Sequence, residues 1–170
     1  DGIVTIDITN DIAFDAATNG NIAAAQFSTT FDGTNPSVII TADKTNPSNA
    51  ANFIATFTFS EDVINFEESH FSITNGSSSN FSMLNQKVYT AVITPISDGL
   101  VTINLPENKA TDTFGNGNVT AQFSINIDTT NPTTTITSSV SNKTNSALTT
   151  RITFSEDVTG FDLGDLTLGN

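Results

Sequence analysis

The stretch Asp98-Gly-Leu-Val-Thr-Ile-Asn-Leu105 restates Asp1-Gly-Ile-Val-Thr-Ile-Asp-Ile8, with Leu/Ile and Asn/Asp exchanges only. Residue 98 stands against residue 1, a spacing of 97. Working outward, Ala121-Gln-Phe-Ser124 restates Ala25-Gln-Phe-Ser28, and Asp128-Thr-Thr-Asn-Pro132 restates Asp32-Gly-Thr-Asn-Pro36, both at a spacing of 96. Further on, Phe154-Ser-Glu-Asp-Val158 restates Phe59-Ser-Glu-Asp-Val63 at 95. A spacing that drifts so little describes whole domains repeated in tandem.

The repeated Asn-Pro sets the boundaries. Asn35-Pro36 and Asn131-Pro132 each stand between a Phe/Ile-rich run and a β-branched run. Proline there fixes φ and removes a donor, which suits a joint between domains. Residues 35–131 are expected to be one complete repeat, residues 1–34 the C-terminal part of a preceding repeat, and residues 132–170 the N-terminal part of a following one. Both ends then fall inside a repeat, so the chain is expected to be a segment of a longer protein. A proteolytic fragment, or partial repeats completed by a neighbouring chain, are the alternatives.

Within 35–131, apolar alternation bounded by Gly, Pro, Asn, Asp and Ser predicts strands near 37–42, 52–60, 70–74, 79–84, 87–94, 99–105 and 119–127. The second is the clearest, with Phe53, Ala55, Phe57 and Phe59 on one face and Asn52, Ile54, Thr56 and Thr58 on the other. The seventh places Val119, Ala121, Phe123, Ile125 and Ile127 on one face. A short turn fits at 64–71. Seven short strands in one repeat predict an all-β fold, immunoglobulin-like β-sandwich modules in tandem, one complete and two partial. With no Cys and no Trp, the 13 Phe must supply the core.

Composition narrows the partners. Five Lys and Arg against 18 Asp and Glu give a net charge of −13. So few cations do not neutralise a run of phosphates, which argues against nucleic acid, and anionic membrane surfaces are disfavoured likewise. No apolar run reaches the ~20 residues of a membrane helix. The absence of Cys removes thiolate metal sites and thiol catalysis without excluding export. Metal cations are the natural partner of so much carboxylate, and plain solubility is the competing reading.

A sandwich topology says where the carboxylates meet. Strands alternate in direction, so alternate connections share a pole. The connection after the second strand holds Ser60, Glu61 and Asp62; that between the sixth and seventh holds Asp112, Asn116 and Asn118. Both should lie beside the preceding linker with Asp32 and Asn35. Converging carboxylates repel unless a cation sits among them, and Ca²⁺ tolerates the irregular oxygen geometry of loops. The expected ligands at the first joint are Asp32, Glu61 and Asp112, with Asp62 and Asn116 beside them. Asp128, Glu156 and Asp157 are their counterparts at the second. The purely structural alternative is that Asp and Asn of Asp-x-x-Gly-Asn cap their own turn and Glu61 is a solvated loop charge.

The blocks Phe59-Ser-Glu-Asp-Val63 with Phe66, Ala110-Thr-Asp-Thr-Phe-Gly-Asn116 and Asp128-Thr-Thr-Asn-Pro132 together resemble the bacterial Ig-like tandem repeats of giant secreted and cell-surface adhesins. The resemblance covers the whole chain, counting both partial repeats. Asp15-Ala-Ala-Thr-Asn19 departs from it, because Thr18 stands where the motif has Gly, which is expected to weaken that turn. What the resemblance implies is an extracellular, bacterial cell-surface stalk whose partners are neighbouring repeats of the same chain, with Ca²⁺ at the junctions stiffening the array.

No enzyme signature appears. His70 is the sole His, and its counterpart in the next repeat is Asp165; a surface strand-edge position is expected for it. Gly76-Ser-Ser-Ser79 reads as a loop, without a base partner or a Gly-x-Ser-x-Gly elbow. The chain is expected not to be an enzyme. The alternative function is a glycan- or surface-binding β-sandwich module, which would need an exposed aromatic cluster that one Tyr and core-facing Phe do not supply. Ice binding would need a short, flat solenoid repeat.

Overall fold

Phe53, Ala55, Phe57 and Phe59 are buried along one strand, while Ile54 and Thr58 between them face outward, as a period of two requires. The computed structural model containing this strand describes residues 1–140, 145 and 147–169. In chain order the strands are β1 (Gly2–Ile6), β2 (Phe27–Phe31), β3 (Val38–Ala42), β4 (Phe53–Phe59), β5 (Ser72–Thr74), β6 (Gly76–Asn85), β7 (Val88–Pro95), β8 (Gly99–Leu105), β9 (Ala121–Ile127), β10 (Thr134–Ser138) and β11 (Thr150–Phe154). Two 3-10 turns, Glu68–His70 and Leu163–Asp165, are the only helical pieces among the described residues. The chain divides into two compact units, Asp1–Asp128 and Thr129–Asn170.

In the first unit, β3 to β9 make the sandwich. One sheet runs β3-β4-β7-β6 and the other β5-β8-β9, all pairs antiparallel. Segment 46–49 adds to β9: Ser48 bridges Ile127 in parallel, its N–H donating to the Asn126 carbonyl at 3.0 Å. The core between the sheets is filled by alternate residues of both: Phe53, Phe57, Phe59, Tyr89, Ala91 and Ile93 from the first, Val101, Ile103, Leu105, Ile125 and Ile127 from the second. Phe66 packs against the aromatics of the first sheet, with ring centroids 5.2 Å from Phe59, 5.3 Å from Phe57 and 5.0 Å from Tyr89. Burying each such side chain stabilises the fold by about 1.5–3 kcal/mol. This aromatic cluster takes the place of the disulfide and tryptophan of antibody domains. The molecule is an all-β immunoglobulin-like sandwich.

The partial repeats form matching hairpin-like sheets, β1-β2 in the first unit and β10-β11 in the second. Their counterparts in the complete repeat are β8-β9 and β3-β4.

Three sequence expectations are corrected in detail. Gly76-Ser-Ser-Ser79 is the start of β6 and not a loop, because Gly76 to Ser79 pair with Pro95 to Val92 of β7. Ser and Gly score poorly for strands, yet this is an edge strand held by one neighbour; its register shifts at Ser79/Ser82 and Met83/Asn85, which blunts the edge. His70 closes the Glu68–His70 turn before β5 rather than lying on a strand edge, and its Nδ1 accepts from the Glu67 N–H at 3.4 Å. Val119 is exposed and precedes β9, with its N–H donating to the Pro36 carbonyl at 3.0 Å.

Candidate functional site

Three segments reach one pole of the first unit. Asp32 follows β2, Glu61 follows β4, and Asp112 sits in the connection between β8 and β9. One carboxylate oxygen from each lies within 4.8 Å of the other two. Asp112 is buried, and Asp32 and Glu61 are half-buried.

The local sequence fixes each position. Asp112 opens Asp-Thr-Phe-Gly-Asn: its Oδ1 accepts from the N–H of Phe114 and of Asn116, both at 2.8 Å, and its Oδ2 accepts from Asn116 Nδ2 at 2.8 Å. Gly115 takes a positive φ of 95° to close the turn. Asn116 Nδ2 also donates to the Asp32 carbonyl at 3.1 Å, and Asn35 Nδ2 donates to the Gly117 carbonyl at 2.7 Å. The linker and the loop are therefore tied to each other twice. Glu61 is aimed by the end of β4, where the Ser60 N–H donates to the Ser37 carbonyl and the Ser37 N–H to Ser60 Oγ.

The electrostatics of the cluster are uneven. Burial pushes the Glu61 carboxyl above its ordinary value, and the negative charges of Asp32 and Asp112 push it further, with Lys87 opposing them. For Asp112, burial raises the carboxyl, but the hydrogen bonds from Asn116, Phe114 and Gly115 together outweigh it and hold the group below its ordinary value. Lys87 Nζ donates to the Ser60 carbonyl at 3.4 Å; among the described residues no Lys or Arg forms an ion pair with the three carboxylates.

These donors suit a hard cation. At roughly 2.3–2.6 Å from Ca²⁺, ligands on opposite sides of one ion are at most about 5 Å apart, which oxygens within 4.8 Å of one another satisfy. Each carboxylate oxygen has two lone pairs, and Asp112 Oδ2 gives one of them to Asn116. The turn-capping alternative is also realised at Asp112, since its oxygens close the loop without any ion.

The remaining sequence candidates fall as follows. Asn116 braces the cluster through its amide. Asp62 is exposed and outside the group, its charge acting instead to raise the Tyr89 hydroxyl, which burial raises first. Asp128 ends the first unit; Glu156 and Asp157 follow β11 in the second, at the positions of Glu61 and Asp62. Asn118, which the sequence placed near the cluster, is a buried staple of the same loop, its Oδ1 accepting from Lys109 and Ala110. Lys87 went unsuspected from sequence, because its place beside Ser60 depends on β7 pairing with β4.

The Asp15–Asn19 loop repeats the Asp112–Asn116 geometry. Asp15 Oδ1 accepts from the N–H of Ala17 at 2.8 Å and of Asn19 at 2.9 Å, and Asn19 Nδ2 donates to Asp15 Oδ2 at 2.9 Å. Thr18 does not abolish the turn: it adopts a φ of 67° in the place of the glycine.

Residues 32–127 and 128–170 each match the family model of the bacterial Ig-like domain. The chain belongs to this family. No curated protein and no solved structure matches it. Asp32 opens the first match and Asp128 the second, so each Ig-like domain so delimited begins at the linker aspartate.

Proposed function

We propose that these Ig-like domains are non-catalytic spacer repeats of a large bacterial surface adhesin, holding a binding region away from the cell, with Ca²⁺ at the joints. The observation that carries the reading is the meeting of the linker carboxylate Asp32 with Glu61 and Asp112. A cation held there would tie the segment leading into a repeat to two of that repeat's loops, and a joint fixed at three points bends less than one held by hydrogen bonds alone. A tandem array of self-contained cores with nearest-neighbour joints suits an extended rod. An extracellular location fits the bacterial Ig-like family, the Thr- and Ser-rich composition and the acidity, and the absence of Cys does not exclude it.

The test is thermal unfolding of the 170-residue chain with calcium and with excess EGTA, paired with small-angle scattering. At calcium near 100 times Kd, binding adds about 2.7 kcal/mol, a midpoint rise on the order of 10 °C for a domain of this size. A midpoint and scattering profile indifferent to EGTA would leave a spacer whose acidic loops serve solubility alone.

A further inference from the structure

The first and last segments of the complete repeat run side by side in the same direction. The chain enters the repeat at Asn35-Pro36, beside the loop that leads into β9, and leaves it past Asp128, where β9 ends. At the entry pole, Asn35 Nδ2 donates to the Gly117 carbonyl at 2.7 Å, and the Val119 N–H donates to the Pro36 carbonyl at 3.0 Å. At the exit pole, Ser48 bridges Ile127 in parallel. There the Ser48 N–H donates to the Asn126 carbonyl at 3.0 Å, and the Asp128 N–H donates to the Ser48 carbonyl at 2.9 Å. Asn46 adds a further bond, its Oδ1 accepting from the Asn126 N–H at 2.9 Å. Segment 35–48 is thus fastened to segment 117–128 at both poles.

The direction of a load decides what these bonds do. Tension on the repeat pulls segment 35–48 by its first residue and segment 117–128 by its last. The two segments are drawn past each other, and the hydrogen bonds between them lie across the pull. Bonds loaded in this way must give together, whereas bonds pulled from one end open one after another. The pairing of Val38 to Ala42 with Phe59 to Ala55 is loaded in the same sense, because β3 is drawn along its own axis. Force entering at Asn35 also passes directly to Gly117 and Val119, which lead into β9, and out at Asp128.

We infer that the fastening of segment 35–48 to segment 117–128 is a mechanical clamp. It makes the complete repeat resist tension between Asn35 and Asp128 far better than tension applied in other directions. The clamp requires neither the cation nor the adhesin reading, since every tie is a hydrogen bond of the repeat itself.

The experiment is single-molecule pulling of the full 170-residue chain in EGTA, and it uses the absence of native Cys. Handles at Thr34→Cys and Thr130→Cys load the complete repeat from entry to exit. Handles at Asn49→Cys, next to the Ser48 bridge, and Thr130→Cys pull the exit-pole ties from one end. Forced unfolding reads the barrier and not the equilibrium stability, so two geometries report differently on one fold. At equal pulling speed, the first geometry is expected to unfold at a several-fold higher force. Asn46→Ala and, independently, Asn35→Ala should each lower that force. Ser97→Ala, which removes an exposed bond to Asn75 outside both segments, should leave it unchanged. The urea midpoint of Asn46→Ala should hardly move, because the bond it removes is exposed. Equal forces in the two geometries would overturn the proposal, as would a first-geometry force that neither Asn46→Ala nor Asn35→Ala lowers. A loss of force that Ser97→Ala reproduces, or that only follows the urea midpoint, would overturn it as well.

Discussion

Asn21 and Asn118, 97 positions apart, make the same four hydrogen bonds. Asn118 Oδ1 accepts from the N–H of Lys109 at 2.7 Å and of Ala110 at 2.8 Å, while its Nδ2 donates to the carbonyls of Pro106 at 3.0 Å and Val119 at 2.8 Å. Asn21 Oδ1 accepts from Ile12 at 3.0 Å and Ala13 at 2.9 Å, and its Nδ2 donates to Thr9 and Ile22, both at 2.9 Å. The pair differs only in surroundings: Asn118 is buried and Asn21 is not. Bonds that water can replace contribute little, and bonds that it cannot replace contribute fully. Asn118→Ala is therefore expected to lower stability by about 3 kcal/mol, and Asn21→Ala by less than about 1 kcal/mol. Urea unfolding of the two variants checks this, and equal losses would contradict it.

Glu61 and Asp112 give opposite pH dependence. The Glu61 carboxyl is raised above 4.5 in the fold, so its repulsion weakens stability at neutral pH and is relieved as pH falls through the folded value towards 4.5. The Asp112 carboxyl is held below 3.8, so its contribution is complete above 3.8 and lost as pH falls through the lower folded value. Asp15 and Asp43 act in the same sense as Asp112. In EGTA, stability should rise from pH 7 to near 4 and then fall. Glu61→Gln should flatten the rising limb and leave the acid limb in place, which a series of melts across pH would reveal.

The parts of the fold legible in the sequence are those with a strict period of two. β4, β8 and β9 alternate apolar residues that face one core with mostly polar ones between them, so their faces follow from the alternation itself, although Ile54 and Leu100 stand exposed on the outer side. β6 was harder to read, because an edge strand held by one neighbour can be written in Ser and Gly. That the segments bearing Asp32, Glu61 and Asp112 share a pole follows from strand alternation. Of the adjacent acids, Glu61 is the one expected with Asp32 and Asp112, and it is Glu61, in phase with buried Phe59 and Val63, that meets them while Asp62 stays exposed. Thr18 was readable as a departure from the turn pattern, but its outcome depended on the Asp15 and Asn19 bonds holding the loop.

Those bonds hold Thr18 in a conformation that a β-branched residue adopts only at a cost of about 1–3 kcal/mol. Glycine at this position, as at Gly115, removes the strain and gives back part of the gain as unfolded-chain entropy. Thr18→Gly is expected to stabilise the Asp15–Asn19 loop by roughly 1 kcal/mol. Hydrogen exchange of the Ala17 and Asn19 amides, which donate to Asp15, should slow by about fivefold. Exchange that is unchanged or faster would mean that Thr18 is not strained.

Substitutions within the carboxylate cluster separate a cation site from a set of loop charges by their sign. Without calcium, Glu61→Gln removes a carboxylate that faces two others and should stabilise the fold by less than about 1 kcal/mol. Asp112→Asn should destabilise it under the same conditions, because an amide cannot offer both Asn116 Nδ2 and the Phe114 and Asn116 N–H groups an acceptor. With calcium, both variants should lose the midpoint rise that the unaltered chain shows, since each removes one of three charged ligands. Opposite effects in EGTA joined to the same loss in calcium are what a shared ion produces. Were the cluster only a turn cap beside a solvated glutamate, Glu61→Gln would leave any calcium response intact. Melts of the two variants, each with calcium and with EGTA, therefore decide between the two arrangements in one set of measurements.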